Sequence, residues 1–214
     1  MEKADIQKAL DELKQQPKRK FVQTYDLIFN LRNLLIAQNP IDLFVTLPKS
    51  RGKAVKVAAF VDQQLAEQAQ KHCDLAIKES EFSKYADKKK QKQLAETYDY
   101  FLAQSTLMPK VAASFGKVLG TRGKMPNPKL GGVVPPTANL APLRERLNKT
   151  VRLSAKKSMN MQCSVGKENQ PDEEIIENIL AVHHALARQL PNETQNIRNV
   201  ALKLTMGKPV RIGA

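Results

Sequence analysis

The hydrophobic residues near both ends of the chain recur with short, regular periods. Apolar residues three or four positions apart predict an amphipathic helix over residues 5–16, which Pro17 ends. Alternation of apolar and polar residues predicts half-buried strands, with a turn signal at 38–40 after the first of them. These strands are at 24–31, 42–48, within 151–167 and at 199–207. Such strands are typical of a sheet that buries one face.

The middle of the chain has a different pattern. Residues 55–61 form a nearly continuous apolar run, as in a strand buried on both faces of a parallel sheet. Helical and strand patterns then alternate up to a loop rich in glycine and proline at 120–139. The predicted helices are 63–72, 82–98, 109–119 and 140–149, and the predicted strands are 75–77 and 99–103. This alternation predicts a layered α/β domain built from βαβ units.

One domain inserted into another explains both patterns. We predict a discontinuous α+β outer domain at 1–54 and 151–214, holding an α/β insert at 55–150. Within the outer domain, a helix is expected at 171–191, where Pro171 and three following acidic residues suit its first turn.

The charge of the chain points to polyanionic partners. Its 214 residues carry 35 Lys and Arg against 21 Asp and Glu, a net charge of +14, distributed as +4, +7 and +3 over the three predicted segments. No apolar stretch reaches the length of a membrane span, and the start lacks a signal-peptide pattern. We therefore expect a cytoplasmic protein without a membrane partner. Cys73 and Cys163 form neither a CxxC motif nor a disulfide framework.

The glycine-rich region does not fit known nucleotide-binding motifs. Val118 and Met125 stand where a Walker A loop needs a glycine and a hydroxyl residue, and the glycines end a helix rather than open one. The region is either a solvated linker or a basic surface stiffened by prolines. Its candidate nucleic-acid contacts are Lys117, Arg122, Lys124 and Lys129.

No set of residues indicates catalysis or a bound cofactor. His183 and His184 are adjacent on a predicted helix and therefore point about 100° apart, too far to chelate one metal together. The run at 88–92 is a solvated helix face or a further nucleic-acid contact. We predict no enzyme activity, no catalytic residue, no metal site and no cofactor.

Two strand ends combine groups that suit RNA. Residues 18–21 place three cations before an aromatic ring where the first strand begins, and 205–208 place a hydroxyl, a thioether, a glycine and a cation at the end of the last strand. The alternative is that both are strand ends and nothing more.

Several of these motifs together resemble the ribosomal protein L one family of the large-subunit stalk. FGKVLGTRGKMPNPK at 115–129 is similar to the signature of that family. Four further motifs recur in the same order: RKFVQT at 19–24, VTLPKSRGK at 45–53, SVGK at 164–167 and LTMGKPVRI at 204–212. Residues 18–26 look archaeal. The chain departs from the family at Thr121 and Lys208, where proline is common.

The resemblance implies an α+β outer domain made from both termini and an inserted Rossmann-like, three-layer α/β domain. It also implies a structural constituent of the large subunit that binds stalk ribosomal RNA (rRNA) and helps release deacylated transfer RNA (tRNA) from the exit site. The same protein would repress translation by binding its own messenger RNA (mRNA). When free, the protein is expected to be a monomer. The implied RNA contacts are Lys20, Phe21, Gln23, Thr24, Gln162, Ser164, Thr205, Met206 and Gly207, and weaker contacts are implied around Arg122 and Lys124. We add the neighbouring cations Lys167 and Lys208 as candidate contacts.

Two other functions compete with this interpretation. A nucleotide-dependent enzyme would hold its ligand in the α/β insert. A basic RNA chaperone without site preference would bind all RNAs with similar, salt-sensitive affinity.

Overall fold

The chain folds into two compact units of mixed α/β structure. Unit 1 comprises Met1–Lys53 with Lys149–Ala214, and unit 2 comprises Ala54–Asn148. The computed structural model describes residues 1–35, 40–156 and 158–213. Most of the predicted turn at 38–40, and Lys157 in the predicted turn within 151–167, lie outside the described residues.

Unit 1 is built on an antiparallel sheet with helices on one face. Its helices are α1 (Lys3–Lys14) and α6 (Asp172–Gln189), and its strands are β1 (Thr24–Leu31), β2 (Ile41–Thr46), β7 (Thr150–Ala155), β8 (Asn160–Lys167), β9 (Ile197–Leu204) and β10 (Val210–Ile212). The main sheet has the order β10, β9, β1, β8, and β2 pairs with β7 in a second sheet. In β1 every second residue is buried, as the alternation predicts. The buried side of β1 joins the core with Ile6, Leu10 and Ile179 from the two helices.

Unit 2 contains a parallel sheet of order β4, β3, β5, β6. Its strands are β3 (Val57–Val61), β4 (Leu75–Lys78), β5 (Tyr100–Gln104) and β6 (Val133–Val134), and its helices are α2 (Gln63–His72), α3 (Lys88–Thr97) and α4 (Met108–Thr121). Helix α5 (Leu140–Lys149) leads from unit 2 back to β7. All residues of β3 are buried, as the continuous apolar run predicts. Phe60 of β3 contacts Phe115 of α4, with 4.9 Å between ring centroids.

Three local predictions are wrong. The helix predicted at 82–98 is a 3-10 helix (Glu79–Tyr85) followed by α3, because the Asp87 side chain caps α3 by accepting a hydrogen bond from the Lys89 N–H. The glycine- and proline-rich loop contains β6, which is too short to show a period. Strand β9 ends at Leu204, so residues 205–207 form a turn instead of the end of a strand.

Candidate nucleic-acid interface

The start of β1 and the turn after β9 are hydrogen-bonded to each other. The Thr205 N–H donates to the Thr24 carbonyl at 3.1 Å. In return, the Thr24 N–H donates to the Thr205 hydroxyl oxygen at 3.1 Å. Chain segments about 180 positions apart in sequence are therefore fixed side by side, because antiparallel pairing of β1 with β9 continues one residue beyond the end of β9.

Gln23 connects this pair of segments to a third. Its side chain is 2 % exposed, and its Oε1 accepts a hydrogen bond from the Met206 N–H at 3.1 Å. The Gln23 carbonyl accepts from the Glu168 N–H at 2.9 Å, and the Gln23 N–H donates to the Glu168 carboxylate at 3.3 Å. The end of β8 is thus joined to the same place, and Gln23 acts as a buried positioning residue.

Gln16, just after α1, holds the other side of the turn. Its Oε1 accepts from the Lys208 N–H at 2.9 Å, and its Nε2 donates to the Lys208 carbonyl at 3.0 Å. A Cβ at Gly207 would stand 2.6 Å from Gln16 Oε1, so a larger residue here would displace the Gln16 side chain from its hydrogen bonds with Lys208. The departure from the family pattern at Lys208 therefore has a structural consequence, because a proline could not donate this hydrogen bond.

Large apolar side chains stand in solvent around this junction. Phe21, Val22 and Met206 are 52 %, 53 % and 62 % exposed. A groove of about 640 Å³ is lined by Arg19, Gln23, Met206 and Lys208 among others, and a shallower one of about 300 Å³ is lined by Lys20 and Phe21. Exposed apolar groups beside cations indicate an interaction surface for a partner with phosphates and flat bases.

Gln162 and Ser164 lie on β8, on the face of the main sheet that points away from the helices. They pair across the sheet with Ile28 and Asp26 of β1, whereas the intervening Cys163 is buried. Lys167, at the end of β8, pairs with Thr24. The residues predicted from widely separated motifs of unit 1 therefore lie together, at one end of the strands and on the adjoining open face of the same sheet.

Asp26 is an acidic residue on this open face. Burial raises the pKa of its carboxyl above the usual value, and the charge of Lys203 across the strand pair offsets part of that rise. A carboxylate in this place opposes phosphate binding, and the positive charge of Lys203 beside it reduces that repulsion.

Comparison with known proteins places the chain in a family. The model of the ribosomal protein L1p/L10e family matches residues 13–208. The chain belongs to the ribosomal protein L1p/L10e family. Among relatives named "Large ribosomal subunit protein uL1", that of Nanoarchaeum equitans is 42 % identical over 91 % of this chain and 93 % of its own length. That of Methanothermococcus thermolithotrophicus is 38 % identical over 99 % of both chains. Membership of the L1p/L10e family makes this chain a structural protein of the large ribosomal subunit.

The basic residues predicted in unit 2 of this L1p/L10e protein have different surroundings. Lys117 and Lys129 are exposed. Arg122 pairs with Glu96 at 2.8 Å. The Lys124 ammonium donates to two carbonyls at the end of α3, those of Ala95 and Tyr98, each at 2.7 Å. Lys124 therefore stabilises the end of α3, and its contact with RNA stays a prediction.

The edge of unit 2 where a Rossmann-like domain binds nucleotides is occupied by polar groups of the protein itself. The Asp62 carboxylate caps α2 by accepting a hydrogen bond from the Gln63 N–H at 2.7 Å. It stands where a phosphate would bind the helix N-terminus, and it repels that phosphate. The buried Gln104 side chain accepts from the Asp62 N–H at 3.0 Å. This arrangement disfavours the nucleotide-dependent enzyme.

Sequence reasoning missed Gln16 and Glu168, because their roles depend on main-chain atoms that only the fold brings to them. Lys203 was also missed, although a positive charge within an alternating strand is evident in the sequence and could have indicated a cation on the open face of the sheet. Within residues 1–35, 40–156 and 158–213, no helix has the length and apolar character needed to cross a membrane.

Proposed function

We propose that this chain binds the stalk region of large-subunit rRNA through one end of the strands and the open face of the main sheet in unit 1. We call this surface the strand-end surface: Lys20, Phe21, Thr24, Gln162, Ser164, Lys167, Thr205, Met206, Gly207 and Lys208. The predicted contact Gln23 is buried beneath it and positions it instead of touching the RNA. The observation that carries the proposal is the hydrogen-bonded convergence of residues 23–24 with 205–206 beside three exposed apolar side chains.

The chemistry of the strand-end surface suits folded RNA better than a regular duplex. Side chains read the grooves of an RNA duplex poorly, whereas irregular RNA offers 2′-hydroxyl groups, phosphates and unstacked bases. Thr24 and Thr205 supply hydroxyl groups, and Gly207 allows the RNA backbone to approach closely. Phe21 and Met206 exclude water from these contacts. Each sheltered hydrogen bond should then cost about 1–3 kcal/mol to break, because its partner is left buried and unpaired.

The remaining parts of the proposal rest on family membership and charge. The protein is ribosome-bound in the cytoplasm, near the tRNA exit site, and a monomer when free. Unit 2 makes weaker RNA contacts through Lys117, Arg122, Lys124 and Lys129, and it helps release deacylated tRNA. Binding of its own mRNA at a copy of the rRNA site represses translation.

A competition experiment tests the proposal. The full chain is bound to a labelled stalk rRNA fragment and challenged with either unlabelled stalk RNA or unrelated structured RNA of equal length, at several salt concentrations. We expect only the stalk RNA to compete at low concentration. Equal competition by both RNAs would instead support a chaperone without site preference. Thermal melting with ATP or NAD tests the enzyme. A true ligand at 100 times its dissociation constant would stabilise the folded protein by about 2.7 kcal/mol, and such a gain would support the enzyme.

A further inference from the structure

A second basic element borders the strand-end surface. The loop of residues 48–53 follows β2 and carries three cations, Lys49, Arg51 and Lys53, in five positions. We propose that this segment, the basic loop, is an additional phosphate-binding element that holds the RNA backbone through Arg51 and Lys53. The inference rests on the proposed function, because it names a further part of the same RNA surface.

The main chain of the basic loop is held firmly by a buried amide side chain. Asn178 of α6 has no solvent exposure. Its Oδ1 accepts from the Lys49 N–H at 3.0 Å, while its Nδ2 donates to the Val165 carbonyl of β8 at 2.8 Å. Because one buried carboxamide forms hydrogen bonds with the main chain of both the loop and β8, it fixes the loop against the end of β8.

Gln170 makes a second connection between the same segments. Its Nε2 donates to the Ser50 carbonyl at 2.9 Å, and its Oε1 accepts from the Lys167 N–H at 2.7 Å. At Gly52, φ is +76°, and a Cβ there would stand 2.8 Å from Gln170 Oε1 and 2.9 Å from Lys167 Cγ. The loop therefore lies directly against Lys167, which pairs with Thr24 of the strand-end surface. The two surfaces are continuous.

Arg51 supplies an independent observation that points to an acceptor. Its Nε is buried, and no residue in the described part of the chain accepts a hydrogen bond from it. A buried donor without an acceptor is destabilising, and a guanidinium group matches the geometry of a phosphate. Lys49 has its own partner, Glu177 at 3.9 Å, with both side chains about half exposed. Arg51 and Lys53 are thus the cations of the loop best suited to an RNA phosphate.

The test measures the salt dependence of binding between the full chain and the stalk rRNA fragment. We expect Arg51→Gln and Lys53→Gln each to weaken binding severalfold and to lower the slope of log K against log salt by about 0.7–0.9, the share of one phosphate contact. Arg51→Lys keeps the charge and should restore most of the slope. Matched controls are Arg188→Gln and Lys8→Gln, exposed cations on α6 and α1, which should leave the slope unchanged.

The outcomes separate this inference from the proposed function. If the wild-type chain binds stalk RNA selectively but the Arg51 and Lys53 variants keep its slope, the basic loop is not a phosphate site. An equal loss of slope in the controls would also overturn the proposal, because it would reflect net charge alone. If the wild-type chain shows no preference for stalk RNA, the proposed function itself fails. Thermal melting of each variant checks that it is folded, and exposed Lys53 tests the loop even where Arg51→Gln melts early.

Discussion

Thr205→Val is the perturbation that most sharply examines the strand-end surface. Valine keeps the shape of threonine and replaces its hydroxyl group with a methyl group. In the free protein this hydroxyl accepts from the Thr24 N–H at 3.1 Å and makes a longer contact to the Thr24 carbonyl at 3.4 Å. The turn keeps its main-chain hydrogen bond from the Thr205 N–H to the Thr24 carbonyl. We therefore expect the free energy of unfolding to fall by about 1 kcal/mol, the net value of one hydrogen bond.

The expected effect on RNA binding is larger than the effect on folding. In the complex, loss of the hydroxyl leaves a sheltered RNA group unpaired, which costs about 1–3 kcal/mol and weakens binding about 5- to 150-fold. The salt slope should stay unchanged because no charge is removed. Phe21→Ala should also weaken binding strongly, since that ring is 52 % exposed in the free protein and available to the RNA.

Filter binding to the stalk rRNA fragment at several salt concentrations measures these effects, and thermal melting measures folding. Thr205→Ser keeps the hydroxyl and should bind within a few-fold of the wild type. Lys89 is an exposed cation on α3. Lys89→Ala should leave the affinity for the RNA almost unchanged and alter only the slope of log K against log salt. Equal losses for Thr205→Val, Phe21→Ala and Lys89→Ala would refute the assignment of the surface. Equal losses for Thr205→Val and Thr205→Ser would refute the role of the hydroxyl.

Three further predictions concern other contacts. Asp26→Asn should stabilise the protein at pH 7 and not at about pH 3, because the raised pKa of Asp26 makes wild-type stability fall as pH rises through the folded-state pKa; a gain that is larger in acid would contradict this. Lys208→Pro should lower the free energy of unfolding by about 1 kcal/mol in urea titrations through loss of its N–H bond to Gln16, and an equal loss for Lys208→Gln would show that the side chain matters instead. Lys124→Met should lower the free energy of unfolding of unit 2 by about 2 kcal/mol, because two charge-assisted hydrogen bonds to carbonyls at the end of α3 are lost. An unchanged melting temperature would contradict this role.

Periodicity was sufficient to predict the elements that bury one side. Tyr25, Leu27 and Phe29 are buried as predicted, although the residue between the last two, Ile28, is also apolar. The remaining alternation still leaves only one register that buries a single apolar face. The helix predicted at 82–98 was wrong, since period alone does not show that the Asp87 side chain begins a new helix.

The candidate site was predictable only in part. Exposed Phe21 and Met206 lie in motifs that the sequence singles out. Gln16 and Asn178 carry no such signal, because a carboxamide in a helix or loop acquires its role from main-chain groups that arrive from distant segments. The same reason hides the basic loop: its three cations are evident in the sequence, but its contact with the end of β8 depends on Gln170 and Gly52.

Hydrogen exchange of the full chain, with and without the stalk rRNA fragment, tests the central claim most directly. The account predicts that the RNA slows exchange at residues 20–24, 164–168 and 205–208 together. These segments are far apart in sequence but joined by the hydrogen bonds of Gln23 and Thr24. Protection confined to unit 2, or protection of one of these segments without the others, would contradict a single RNA surface built from all three.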